Sequence, residues 1–129
     1  MTPESQTLLA AANAKLTAAE LLLKEGLAGD AASRAYYAVF HAISAVHLAN
    51  GNTFSSHAQL IGRFNKDFVR TGLFAPEFTR IVTRLFQDRQ LGDYEATTAI
   101  PDTQARQDID DAHRLIDAIR VYLTTAATR

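Results

Sequence analysis

Ser33-Arg34-Ala35-Tyr36-Tyr37-Ala38-Val39-Phe40-His41-Ala42 is the stretch whose reading decides the fold. At 3.6 residues per turn, this segment and its continuation sort into three faces. Ala35, Ala38, Ala42, Ala45 and Ala49 recur at helical spacing and form a smooth strip that a second helix can approach closely. Tyr36, Val39, Ile43 and Val46 form a bulky apolar strip beside it. Arg34, Tyr37, His41 and Ser44 fall on the third side. A helix buried on two sides and carrying Arg, Tyr, His and Ser on the third predicts a polar site along the flank of a helix bundle.

Outward from this helix the same period repeats. Upstream, Thr2 and Pro3 predict a helix start, and Leu9, Ala12, Leu16, Ala19 and Leu23 give its apolar stripe. Gly26 and Gly29 end that helix, and Asp30 is placed to cap the second, which runs to about Ala49 before Asn50-Gly51-Asn52. Ser56 followed by Gln59 reads as a capping box for a third helix, with Leu60, Ile61, Phe64 and Phe68 inward and Gly72 closing it. Pro76 and Glu77 open a fourth, carrying Phe78, Ile81, Val82, Leu85 and Phe86. Gly92 and the polar run to Thr98 read as the longest irregular piece. Pro101 and Asp102 then start the last helix, lined by Ile109, Ala112, Ile116, Ile119 and Leu123. No segment alternates with period two for long, so the expected architecture is all-α, an up-and-down bundle of four to five helices in a single domain over residues 1–129.

Composition narrows the function. A net charge of −1 argues against a protein that coats nucleic acid non-specifically. The absence of cysteine excludes disulfides, thiolate metal sites and a cysteine nucleophile. No basic region followed by an apolar run marks the N-terminus, and no stretch is apolar enough to span a bilayer, so a cytoplasmic protein without a membrane partner is expected. His41 and His47 lack the spacing of paired helical zinc ligands, and no glycine-rich phosphate cradle occurs, so neither metal nor cofactor is expected. The charge is uneven: from Arg63 to Arg89 cations exceed carboxylates by three, whereas Met1–Asp30 has an excess of two carboxylates. The middle helices carry either an ordinary solvated surface or a site for an anion such as RNA or a nucleotide, with Arg84 among the candidate cations.

Two clusters are candidate sites. Arg34 and His41 lie two turns apart on one face, where an Arg can hold a phosphate and an imidazole can move a proton; Tyr37 and Ser44 flank them. The same spacing in Arg106 and His113 reads as structural, because Asp110, Arg114 and Asp117 surround it as an ion-pair face. The second cluster is Arg89-Gln90-Leu91-Gly92-Asp93-Tyr94. Either a helix exit at Gly92 lets Arg89, Asp93 and Tyr94 converge, or Arg89 and Asp93 staple the helix end with Tyr94 packed over the core.

These residues resemble the HEPN superfamily of small prokaryotic helical domains. The match is the Ser33–Ala42 stretch, similar to the second-helix signature of one branch, together with Arg89, Asp93-Tyr94 and a histidine after the second helix, here His57. The resemblance implies a homodimeric bundle, often a toxin or a defence protein, with a minimal nucleotidyltransferase as partner. In the family's ribonucleases an Arg and a His four to six residues apart cleave RNA without metal, the 2′-hydroxyl attacking the adjacent phosphate. Here Arg89 matches the Arg, but the position five beyond it is Tyr94. A phenol titrates at about 10 and is a poor base at neutral pH. On this reading Arg89 stabilises phosphorane charge, Asp93, Tyr94 and His41 complete the catalytic set, and Arg34, Tyr37 and Arg84 bind RNA or nucleotide. The alternatives are a non-catalytic module that binds the nucleotidyltransferase or a nucleotide, and a structural dimer whose polar strip is its interface.

Overall fold

Local signals account for where each helix begins. The Thr2 hydroxyl accepts the Ser5 amide at 3.1 Å and Pro3 occupies the first helical turn, so α1 runs Pro3–Lys24. Gly26 takes φ +79°, and the Leu27 amide returns to the Leu22 carbonyl at 2.9 Å, closing the helix in a tight turn. That turn is short enough for α2, Ala28–Ala49, to start ahead of Asp30. Asp30 therefore does not cap the helix as expected but lies in its first turn, where a carboxylate meets the positive end of the helix dipole. The structure, a computed structural model, describes residues 1–94 and 99–127, except for the side chains of residues 94, 126 and 127.

Ser56 caps α3, His57–Phe64, by accepting the Gln59 amide at 3.1 Å. The return half of the capping box is replaced by a bond from the Ser55 hydroxyl to the Gln59 side chain. The expected single helix to Gly72 does not form. After Phe64 the chain widens into a π-helical turn, Asn65–Val69, closed by the Arg70 amide on the Asn65 carbonyl at 2.8 Å. Phe64 and Phe68, stacked at 6.0 Å, are both buried there, and Phe74 and Tyr122 pack beside them. The remaining helices are α4, Glu77–Tyr94, and α5, Asp102–Ala127. Among the described residues there is no strand, and the fold is the expected all-α bundle.

Helix α2 is the centre of the bundle and packs against each of the other four. Ala35, Ala38, Ala42 and Ala45 are fully buried, as are Tyr36, Val39, Ile43 and Val46, while Ala49 reaches the exposed end. Leu9, Leu16, Leu85, Ile109, Ile116 and Ile119 fill the facing positions. Each such side chain removed from water stabilises the fold by about 1.5–3 kcal/mol. Residues 29, 36 and 37 of α2 meet residues 92, 86 and 89 of α4, so these two helices run antiparallel.

Gly92 corrects a second expectation. It does not release the chain from α4 but lies inside the helix, where its missing side chain serves packing. A Cβ there would stand 2.4 Å from the Gly29 carbonyl oxygen and 3.0 Å from the carbonyl carbon. The backbones of α2 and α4 touch at this point. The rest of the expected irregular segment, residues 95–98, lies outside the described residues.

A buried polar cluster joins α4 to α5. Arg84 donates from Nε to Asp108 at 2.9 Å and from Nη2 to Asp111 at 2.6 Å, and Gln104 donates to Asp88 at 2.8 Å. Burial, and then the neighbouring Asp88 carboxyl, push Asp108 from its ordinary value up to about 8, against the pull of Arg84. At neutral pH Asp108 therefore keeps its proton and can donate it to Asp88, while Asp111 carries the charge that answers Arg84.

This packing has two measurable consequences. Gly92→Ala should lower the unfolding free energy in urea by about 1–3 kcal/mol, because neither backbone can yield. Gly29→Ala, whose Cβ would meet only ordinary contact at 3.4 Å, should change it by less than about 1 kcal/mol. Equal effects would contradict the asymmetric contact. For Asp108 the folded value lies above the unfolded one, so its contribution is fully present below about pH 4 and is lost as pH rises through about 8. Asp108→Asn keeps the acceptor for Arg84 and a donor for Asp88. The stability of the native chain relative to Asp108→Asn should therefore fall steadily from about pH 5 to about pH 9; a constant difference would show that Asp108 is ionised throughout.

Candidate functional site

The closeness of α2 and α4 places Arg89 against the tyrosines of the second-helix signature. Its guanidinium carbon lies 5.3 Å from the Tyr37 ring centre and 5.7 Å from that of Tyr36, within cation–π range. Nη2 donates to the Tyr37 hydroxyl at 2.6 Å, and Nε lies 3.0 Å from Asp93 Oδ2, one turn further along α4. The Arg89 side chain is only 14% exposed, so these contacts fix its direction. Beside it, Leu22, Asp30, Ser33, Arg34, Tyr37 and Asp93 line a surface cleft of about 400 Å³. Arg34 is exposed there and makes no ion pair among the described residues. The cleft thus offers one cation, two carboxylates and a phenol, and the Arg89 guanidinium holds two of these residues, Tyr37 and Asp93.

Behind the cleft stands an imidazole. The Tyr36 hydroxyl and His57 Nδ1 are 2.6 Å apart, although the two residues are separated by 21 positions. His57 stacks on Phe40 at 4.3 Å and on Tyr36 at 5.8 Å, with its edge toward Tyr37 at 6.3 Å. Burial, and then the positive charge of Arg89, hold its pKa below the usual imidazole range. Burial pushes Tyr36 up to about 12, a rise that Arg89 opposes and Tyr37 reinforces. Both groups are therefore neutral at pH 7.

The sequence candidates separate into those this corner gathers and those it does not. Arg34, Tyr37, Arg89 and Asp93 come together. His41 lies one turn past Tyr37, where burial, and then Lys15 on α1, lower its pKa. The described contact of its ring is with Phe40 at 5.9 Å, and none reaches Arg89. Ser44 spends its hydroxyl on the Phe40 carbonyl at 2.8 Å. Arg84 is committed to Asp108 and Asp111 on α5, away from the cleft, because a half-buried guanidinium facing two buried carboxylates cannot be left unpaired. Tyr94 ends α4, and its side chain lies outside the described residues. Arg106 grips Glu20 on α1 through both terminal nitrogens, at 2.9 and 2.6 Å, and His113 lies 3.5 Å from the same carboxylate, so this pair is a structural clamp. The Tyr36–His57 contact was not legible from periodicity, which placed Tyr36 in the apolar strip and says nothing about the polar tip of a buried tyrosine.

Comparison with known proteins agrees with this architecture. The HEPN domain family matches residues 5–122. A Thermotoga maritima protein named "UPF0332 protein" is 37% identical over 101 residues, covering 78% of this chain and 76% of that one. A Methanocaldococcus jannaschii protein named "Putative toxin MJ0605" is 35% identical over 121 residues, covering 93% and 89%. The crystal structure of TT1696 from Thermus thermophilus shares the fold, with a TM-score of 0.77 over 92% of this chain and 98% of that one at 20% identity. None of the described helices is long and apolar enough to cross a membrane. With the alanine-striped central helix, the tyrosine pair and the Arg89–Asp93 corner in place, the match along nearly the whole chain shows that this protein belongs to the HEPN domain family.

Proposed function

We propose that this chain is a toxin-type HEPN module, of the toxin–antitoxin or defence class, that binds RNA or a nucleotide in the cleft between α2 and α4. One observation carries the reading: Arg34, Tyr37 and Asp93, from two helices far apart in sequence, line one cleft, and Tyr37 and Asp93 both hold the Arg89 guanidinium. A guanidinium is the favoured partner of a phosphate. The carboxylates of Asp30 and Asp93 suit ribose hydroxyls, which donate, and the 2′-hydroxyl separates RNA from DNA. The toxin assignment draws on the name of the archaeal relative that spans most of this chain. If RNA is cleaved, Arg89 is the group that answers the charge of the phosphorane.

The second reading is a non-catalytic module that binds RNA or a nucleotide, or docks a nucleotidyltransferase, as a homodimer. It is favoured by the phenol of Tyr94 standing where the family's ribonucleases place an imidazole.

Both readings meet in one experiment. Fluorescence anisotropy should show tighter binding of single-stranded RNA than of DNA of the same sequence. Arg34→Ala should weaken RNA binding about tenfold or more without changing the unfolding midpoint, because it removes a charge-assisted contact from an exposed position. Arg89→Lys, which loses the planar fork, should weaken it as well. Equal affinity for both nucleic acids, untouched by Arg34→Ala, would overturn the site. Incubation of the bound RNA with excess EDTA then separates the readings. Cleavage that Arg89→Lys abolishes makes the chain a ribonuclease; intact RNA makes it a binding module.

A further inference from the structure

We infer that Tyr36 locks His57 as a neutral imidazole protonated at Nε2, making His57 a fixed hydrogen-bond donor to a ligand oxygen beside Arg89, and not a proton acceptor. The argument begins with the Tyr36 hydroxyl. It belongs to a fully buried residue, and the described hydrogen bond it makes is the one to His57 Nδ1 at 2.6 Å. A buried hydroxyl whose proton finds no acceptor is costly, so Tyr36 donates and Nδ1 accepts. A neutral imidazole carries one N–H, and with Nδ1 accepting it must sit on Nε2. No hydrogen bond at Nε2 is made among the described residues, and His57 is only half-buried. A half-turn of the ring would keep its stack on Phe40 but put a C–H in place of Nδ1, leaving the buried Tyr36 hydroxyl without its acceptor.

Burial and the one charge acting on the ring oppose a second proton. From α2 come Tyr36 and Tyr37, both phenols; from α4 comes the Arg89 cation. His57 also stands in the first turn of α3, at the positive end of that helix. No carboxylate acts on it among the described residues. The one lone pair that could take a proton is already occupied by the Tyr36 hydroxyl. The half-buried ring therefore carries an N–H without a partner among the described residues, under the positive charge of Arg89, and such a donor suits a phosphate or ribose oxygen.

This inference rests on the cleft reading for its ligand but not for its tautomer, and the two can fail separately. The full chain labelled with 15N-histidine should show His57 in two-bond 1H–15N correlation spectra as the Nε2–H tautomer, taking a second proton only below the ordinary imidazole value of about 6.5. Tyr36→Phe should release it to a mixture of the two neutral tautomers. A native His57 protonated on Nδ1, or charged at pH 7, would overturn the lock. In the RNA-binding assay His57→Ala should weaken affinity about fivefold to tenfold, and His57→Gln, whose amide restores a donor, should recover most of it. Affinity unchanged in His57→Ala would overturn the donor role. Absence of RNA binding by the native chain would overturn the cleft reading and the ligand contact together, leaving the spectra to decide the lock.

Discussion

The contact between the α2 and α4 backbones at Gly29 and Gly92 is the constraint on which the site depends. A side chain at position 92 would drive the helices apart, since its Cβ would stand 2.4 Å from the Gly29 carbonyl oxygen. With no side chain there, Arg89, three residues before Gly92, reaches the faces of Tyr36 and Tyr37 and the hydroxyl of Tyr37 at once. Asp93, immediately after Gly92, steadies the same guanidinium and lines the cleft with Arg34. The alanine face of α2 makes the rest of the centre possible in the same way, since small residues let four helices share one axis.

Arginine is used for two purposes in this molecule, and burial separates them. Arg84 faces Asp108 and Asp111, which are almost wholly removed from water, so it must stay where it answers the charge of Asp111 and donates to Asp108. Arg106 clamps α5 to α1 through Glu20, and that pairing draws the Glu20 carboxyl below its usual range. Arg34 has no such commitment among the described residues and lines the cleft. Arg89 is intermediate: shielded by aromatic rings and bonded to a phenol and a carboxylate, it is held in one direction at the edge of an open space. A guanidinium fixed in advance loses little freedom when an anion arrives.

Two histidines on neighbouring surfaces have been given different electrostatics. Both are held below the ordinary imidazole value by burial, but Lys15 on α1 adds to the effect at His41 and Arg89 on α4 adds to it at His57. Only His57 is coupled to the tyrosine pair. In the proposed reading this pairing changes the kind of chemistry on offer. A neutral ring with its inner nitrogen occupied recognises oxygen acceptors and does not remove protons.

The all-α bundle and the division of the second helix into alanine, apolar and polar faces were determined by residue order alone, because helical periodicity is a local property. Helix starts at Pro3, Ser56 and Asp102 were legible for the same reason, since caps act over three or four residues. Residue order could bring Arg34, Tyr37, Arg89 and Asp93 forward as candidates, but not decide that they meet. That Gly92 spaces two helices and does not end one, that Arg84 belongs to α5, and that the imidazole behind the cleft is His57 and not His41 were settled by tertiary packing. Each depends on a residue in another helix, and no period or spacing within one segment encodes the distance between two backbones.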